Sequence, residues 1–266
     1  MHNLNSKSHV ETVFEEIYHL IQQSKKKVID PWIKMGEIET LNQFDGYTVD
    51  EFIYTFPFLS RERWNHIAVN KIDFILEVPQ ILSYDIKQMA ERLLDFQGFE
   101  RLIKEIISKV GYYAITNFRF TDHSEFVKET SQERYEIDIV GLKRNNILII
   151  DAKEWHRRSP FGGLNKAANL QHQRGVALTK NPQQFHSLLK ILLTSPSRMK
   201  SHIQKYFPLK LFPIMVTLEN NNIRLNENQV PLVSILQLNS FLNELPNSLD
   251  YYKHISITKR ILNENI

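Results

Sequence analysis

Cysteine is absent from the 266 residues. That excludes disulfide staples and thiolate zinc sites, and it fits a reducing cytoplasm. Glycine is scarce, at 8 residues, and none are set out as a phosphate-cradling loop or a G-x-S-x-G nucleophile elbow, so neither P-loop nor hydrolase-elbow chemistry finds support. Long apolar runs are missing too. Nothing approaches the roughly 20 residues that span a bilayer, and the opening MHNLNSKSHVETVFEE lacks the apolar core of a secretory signal. A cytoplasmic protein with no membrane partner is the expectation. Charge of one sign is not in excess: 33 Lys and Arg against 30 Asp and Glu leave +3. Any site for a polyanion must therefore come from local clustering. His156, His172, His186 and His202 fall at no metal-ligand spacing.

What is present is concentrated between Glu133 and Trp155. Tyr135, Ile137, Ile139 and Leu142 supply one apolar run, Lys143 to Asn146 a turn, and Ile147 to Ile150 an aliphatic run that ends abruptly in Asp151-Ala152-Lys153. Four aliphatics bounded by turn residues suit a strand buried on both faces. Side chains alternate along a strand, so Asp151 and Lys153 project to one side. Hairpin pairing can bring Asp138 beside Asp151, with Glu136 on the face of Asp138 as a reserve. Two carboxylates and an ammonium then converge where an uncompensated charge is costly.

Other candidates gather around this hairpin. Glu100 lies three and seven residues before Ile103 and Ile107, bordering the buried face of a helix; alone it reads first as a helix N-terminal charge, and the hairpin turns the reading toward a site residue. Leu164, Ala168, Gln171, Gly175 and Leu178 share one helical face, which places Gln171 inside an apolar stripe where it needs partners. Arg174, three residues on, neighbours it. The loop from Trp155 to Gly163 carries Arg157 and Arg158 beside the aromatic ring. It suits phosphate and base contact as well as it suits a solvated loop.

Asp138, then Asp151-Ala152-Lys153 closing an aliphatic strand, after a helix opened by Gly98-Phe99-Glu100 and ended by Gly111-Tyr112, resembles the PD-(D/E)XK nuclease superfamily. The likeness is nearest to the Mrr-like and Holliday-junction-resolvase-like branches. Ile137 stands where the family has Pro, and the resemblance covers roughly Asp85 to Leu245. It implies an α/β restriction-endonuclease-like fold, a mixed central sheet flanked by helices. It also implies a metal-dependent nuclease acting on DNA through a metal-activated water. Asp138 and Asp151 would be direct ligands of Mg²⁺ or Mn²⁺, the backbone carbonyl of Ala152 a third, and Glu100 a ligand through water or of a second ion. Lys153 would orient or deprotonate the attacking water. Gln171 would reach back to the metal site, or else form an internal hydrogen bond. Lys143, Arg144, Trp155, Arg157, Arg158 and Arg174 are the candidate nucleic-acid contacts, and a homodimer is an open option. Two other readings stand beside this one: a non-cleaving nucleic-acid-binding module that keeps the fold, and a purely structural hairpin.

The chain divides by pattern into a mostly helical N-terminal extension, residues 1–84, and the nuclease-like domain, residues 85–266. In the extension Val10, Phe14, Ile17 and Ile21 mark a helix ending at Lys25-Lys26-Lys27, lysines that suit a phosphate or a solvated last turn. Asp50 is expected to cap a helix toward Phe58 and Ser60 another through Ala68. Ile72, Phe74, Leu76 and Val78 alternate as a strand, with a helix continuing from Ser60 as the alternative. Gly98 is expected to break or kink the helical stretch that begins at Asp85. Beyond it the order is helix, three strands, helices, strand, strand, helix. Pro213 suggests an edge or a bulge in its strand.

Overall fold

A computed structural model describes Leu4 and residues 7–121, 134–153, 161–193, 207–219 and 225–258. The chain divides into two compact units, Met1–Phe99 and Glu100–Ile266. Among the described residues no helix is long and apolar enough to cross a membrane.

In the first unit the chain runs α1 (Lys7–Gln22), β1 (Trp32–Lys34), two 3-10 turns, α2 (Gly46–Thr55), β2 (Leu59–Arg63), β3 (His66–Val69), α3 (Lys71–Glu77), α4 (Pro79–Leu82) and α5 (Ile86–Leu93). The apolar stripe of α1 is buried at Phe14, Ile17 and Ile21. Around Phe14 stand the rings of Phe52, Phe56, Phe58 and Phe74, with centroids 4.8 to 6.1 Å away. The helix expected from Ser60 and the strand expected at Ile72–Val78 are exchanged: β2 and β3 form an antiparallel hairpin, and residues 71–77 are helical. The deciding group is Asn70, whose side chain accepts from Asp73 N at 3.0 Å and caps α3. Ile72 and Ile75 then face inward at helical spacing. Likewise Asp45, not Asp50, caps α2, accepting from Thr48 N at 3.0 Å. The helical stretch from Asp85 breaks after Leu93, before Gly98 is reached. Asp95 accepts from Gly98 N at 2.9 Å and opens a new helix.

That helix, α6 (Phe96–Lys109), carries the boundary between the units. The second unit continues with β4 (Tyr113–Thr121), β5 (Arg134–Lys143), β6 (Asn146–Lys153), α7 (Phe161–Lys180), α8 (Pro182–Leu192), β7 (Leu209–Thr217), β8 (Leu232–Ser234), α9 (Ile235–Glu244) and β9 (Ile255–Ile257). Six strands form one mixed sheet in the order β4-β5-β6-β7-β8, with β9 also on β7. The β4-β5-β6 meander is antiparallel, β6-β7-β8 is parallel, and β9 is antiparallel to β7. The expected mixed sheet flanked by helices is what forms; only β9 had no sequence signal.

Three local features position the site. Gly111, at φ +91°, ends α6 in a conformation that L side chains rarely adopt, and the chain turns directly into β4. Pro213 lies inside β7, paired with Ile149 of β6. Its missing N–H points away from β6, into the gap between the residues that β9 takes (209–211) and those that β8 takes (215–217). No ladder bond is lost there, so a proline is tolerated in an interior strand. Third, Asn117 on β4 has φ +57°, directly across from Asp138. Before this point Val140 of β5 faces the core shared with α7 and α8; beyond it Phe118, Phe120, Tyr135 and Ile137 do. The two strands exchange faces at Asn117–Asp138.

Candidate active site

The site sits where the β5–β6 ladder stops. The last paired residues are Ile139 and Ile150, and the next register position would join Asp138 to Asp151. There the Asp138 side chain replaces the ladder: its Oδ2 accepts from Ala152 N at 2.8 Å. Lys153 Nζ lies 3.1 Å from Asp151 Oδ2, confirming that the two side chains share a side. The contact lacks hydrogen-bond geometry, so Oδ2 is a buried oxygen held by charge alone. The other oxygen, Oδ1, accepts from Arg174 of α7 at 2.6 Å, and the same guanidinium nitrogen donates to Gln171 Oε1 at 2.9 Å. Gln171 is fully buried as its stripe requires, with its Nε2 lacking a hydrogen-bond partner.

Glu100, on the first turns of α6, is 3% exposed, while Asp138 and Asp151 are 8% and 1% exposed. Burial pushes the Glu100 carboxyl up to about 7, and the Asp138 and Glu136 charges push it the same way. Asp138 is raised to about 6, first by burial and then by Asp151, against the opposing Ala152 hydrogen bond and the Lys153 and Arg174 charges. Burial and neighbouring carboxylates thus both oppose ionisation of Glu100 and Asp138, with two cations alongside. Glu136 is drawn off toward Arg119 of β4, which grips it at 2.8 and 3.1 Å.

Among the described residues, no three His, Cys, Asp or Glu side chains are grouped so as to hold a metal ion as they stand. The donor chemistry nevertheless fits a hard divalent cation. Asp138 and Asp151 are adjacent oxygen donors, Asp151 Oδ2 has no hydrogen bond, and Mg²⁺ commonly takes only one or two protein carboxylates. Arg174 and Lys153 supply the compensating charge at Asp151.

The structure therefore brings together Glu100, Asp138, Asp151, Ala152, Lys153, Gln171 and Arg174. It does not bring Lys143 and Arg144 to them. Both lie at the turn end of the hairpin, where Lys143 pairs with Asn146, far along β6 from Asp151. Lys143 Nζ donates to Val110 O at 2.7 Å and caps the end of α6, so these two residues leave the candidate interface. Trp155, Arg157 and Arg158 lie outside the described residues. Sequence reasoning missed Arg119 and the Asp151 partnership of Arg174. The alternation of β4 marks Arg119 as outward, but its partner follows only from the β4–β5 register.

Residues 96–213 match the family model of NERD, the nuclease-related domain. That segment is similar to the nuclease-related domain, and the acid cluster lies inside the matched range. No curated protein matches the chain. Among solved structures, the crystal structure of protein VC1899 from Vibrio cholerae aligns with a TM-score of 0.31 and 10% identity, over 92% of this chain and 53% of that one. The chain thus spans about half the length of that protein.

Proposed function

We propose that the chain is a metal-dependent nuclease that hydrolyses phosphodiester bonds in DNA. The observation that carries this reading is the convergence of buried Asp138 and Asp151, with Glu100 and Lys153, at the open end of the β5–β6 ladder, inside the segment similar to a nuclease-related domain. Bound Mg²⁺ or Mn²⁺ would supply Lewis acidity and a water of lowered pKa. Asp138, Asp151 and the Ala152 carbonyl are the groups to hold it, with Glu100 acting through water. The chain's own part is positional. The Ala152 amide fixes the Asp138 carboxylate, and the fully buried Gln171 holds the Arg174 guanidinium on Asp151. Lys153, half-buried beside Asp151, can orient the attacking water and stabilise the negative charge that develops on the phosphate. Arg174 is placed to meet the negative phosphate once Asp151 has another positive partner.

One observation favours a second reading. The Arg174 guanidinium already neutralises Asp151 at 2.6 Å, as it would in a non-cleaving nucleic-acid-binding module that keeps the fold. Labelled DNA and RNA as duplex, junction, flap and single strand, each with and without Mg²⁺ or Mn²⁺, separate the two. Metal-dependent cleavage that Asp151→Asn abolishes supports the nuclease. Tight binding by the wild type with no cleavage in either metal supports the module and sinks the nuclease.

A further inference from the structure

The first unit has an architecture of its own that the acid site does not use. α1 leads into β1, two 3-10 turns (Met35–Glu37 and Leu41–Gln43), α2 and then the β2–β3 ribbon, with strands ordered β1-β3-β2. This is the order of a winged helix-turn-helix, with α2 in the recognition position, β2–β3 as the wing, and the first helix of the turn reduced to 3-10 turns.

The sheet buries Ile33 and Ile67 on one face. On the other, the register sets Lys34 and Arg63 on either side of His66, with Trp32 next along β1. The Arg63 guanidinium lies 5.3 Å from the centroid of the Trp32 ring. Trp32 is 53% exposed, and Trp64, at the tip of the ribbon, is 82% exposed. Two tryptophans held in water beside cations suit a ligand that offers both phosphates and flat rings. Charge decides which part of the unit can meet it. Exposed Asp50 and Glu51 make α2 unwelcoming to a phosphate backbone, and the Asp50 charge is met by Arg61 of β2. Lys34 and Arg63 instead flank His66 across the exposed face of the sheet.

We propose that the β2–β3 ribbon and the exposed face of its sheet form a second nucleic-acid site, which takes duplex DNA. The ribbon enters a groove while Lys34 and Arg63 contact phosphates. A two-stranded ribbon matches a major groove about 12 Å wide. The wing, rather than α2, makes the contact.

The test uses the full chain in EDTA, where no metal-dependent cleavage intervenes. Anisotropy of a fluorescein-labelled duplex of about 20 base pairs is compared with that of the single strand, at roughly 50 and 200 mM salt. Arg63→Ala combined with Trp64→Ala should weaken duplex binding about tenfold and lower the salt slope by about one unit. Both side chains are exposed, so the thermal midpoint should hold. Tyr47→Ala on α2 should change the affinity less than twofold, well inside the range of an energetically neutral contact. An unchanged duplex affinity in the ribbon variant would overturn the proposal. So would a wild-type chain that binds single strands but not duplex, or a larger loss from Tyr47→Ala than from the ribbon. A chain that binds duplex through the ribbon yet cuts nothing leaves this proposal standing and removes only the nuclease.

Discussion

Lys153 separates holding a cation from using it. Its ammonium lies 3.1 Å from Asp151 Oδ2 and is only about a third exposed. Removing it takes a positive charge from beside the proposed ligands, so Lys153→Ala should leave Mn²⁺ affinity intact or slightly higher. Single-turnover cleavage should fall about 100-fold, as when acid–base help or a preorganised charge is lost. Calorimetry and cleavage on one preparation check this; near-wild-type cleavage would remove Lys153 from the chemistry. Asp138 makes the complementary case. Its carboxyl, raised from 3.8 to about 6, costs stability wherever it is ionised in the fold. That penalty is absent below pH 4 and fully present above pH 6. Asn can still accept from Ala152 N, so Asp138→Asn should stabilise the metal-free chain at pH 8 by on the order of 2 kcal/mol. It should weaken Mn²⁺ binding at the same time. Denaturant midpoints in EDTA give the first quantity and calorimetry the second; a destabilised variant would mean that the charge itself is needed for folding.

At the scale of elements, α7 is held against the sheet by a glycine. A Cβ on Gly175 would lie 2.9 Å from Ile149 Cδ1 and Leu211 Cδ2, and 3.1 Å from Ile255 Cδ1. Ile149 and Leu211 are fully buried, so their methyls have little room to yield. Gly175→Val should cost about 2–3 kcal/mol through overpacking, a cost that the small gain in helix propensity over glycine offsets only in part. Since α7 also carries Gln171 and Arg174, the shift should loosen their hold on Asp151, lowering cleavage beyond the loss of folded protein. Chemical denaturation with activity per folded molecule tests this; an unchanged midpoint would show that α7 has slack. Gln171 and Gly175 were both legible in the sequence, because a polar residue and a glycine stood inside an otherwise apolar stripe. So was the β5–β6 hairpin, whose aliphatic run stops at Asp151. The exchange of helix and strand between residues 59 and 77 was not legible. Alternation at Ile72–Val78 mimicked a strand, and only the Asn70 cap, a side-chain geometry, decides for helix. The partners of Lys143, Arg119 and Arg174 were also hidden, since each depends on register or on a helix docking 23 residues away in sequence from Asp151.

On the scale of the whole molecule, the two units carry buried ionisable groups whose pH responses have opposite sign. In the second unit Glu100 is raised from 4.5 to about 7 and Asp138 from 3.8 to about 6. Between the ordinary and the raised values the folded state binds more protons than the unfolded chain, so stability falls as pH rises through roughly 4 to 7. In the first unit Lys71 is fully buried, with its Nζ donating to Lys25 O and Leu93 O at 3.1 Å each. Burial lowers its ammonium from 10.5 to about 8, against the opposing Asp95 charge. Here the unfolded chain binds more protons between about 8 and 10.5, so stability rises with pH across that window. Calorimetric scans of the full chain in EDTA should therefore show melting that weakens from pH 5 to 7 and strengthens from pH 8 to 10, by a few degrees on each arm. Each arm has its own eraser. Glu100→Gln with Asp138→Asn should flatten the acid arm alone, and Lys71→Met the alkaline arm alone. Mn²⁺ at pH 7 should also lift the acid arm, because a cation beside the carboxylates stabilises their ionised form against the burial and repulsion that raised them. If Lys71→Met leaves the alkaline arm unchanged, the ammonium is not the group that titrates there. If Mn²⁺ leaves the acid arm unchanged, the Asp138–Asp151 pair does not hold the metal.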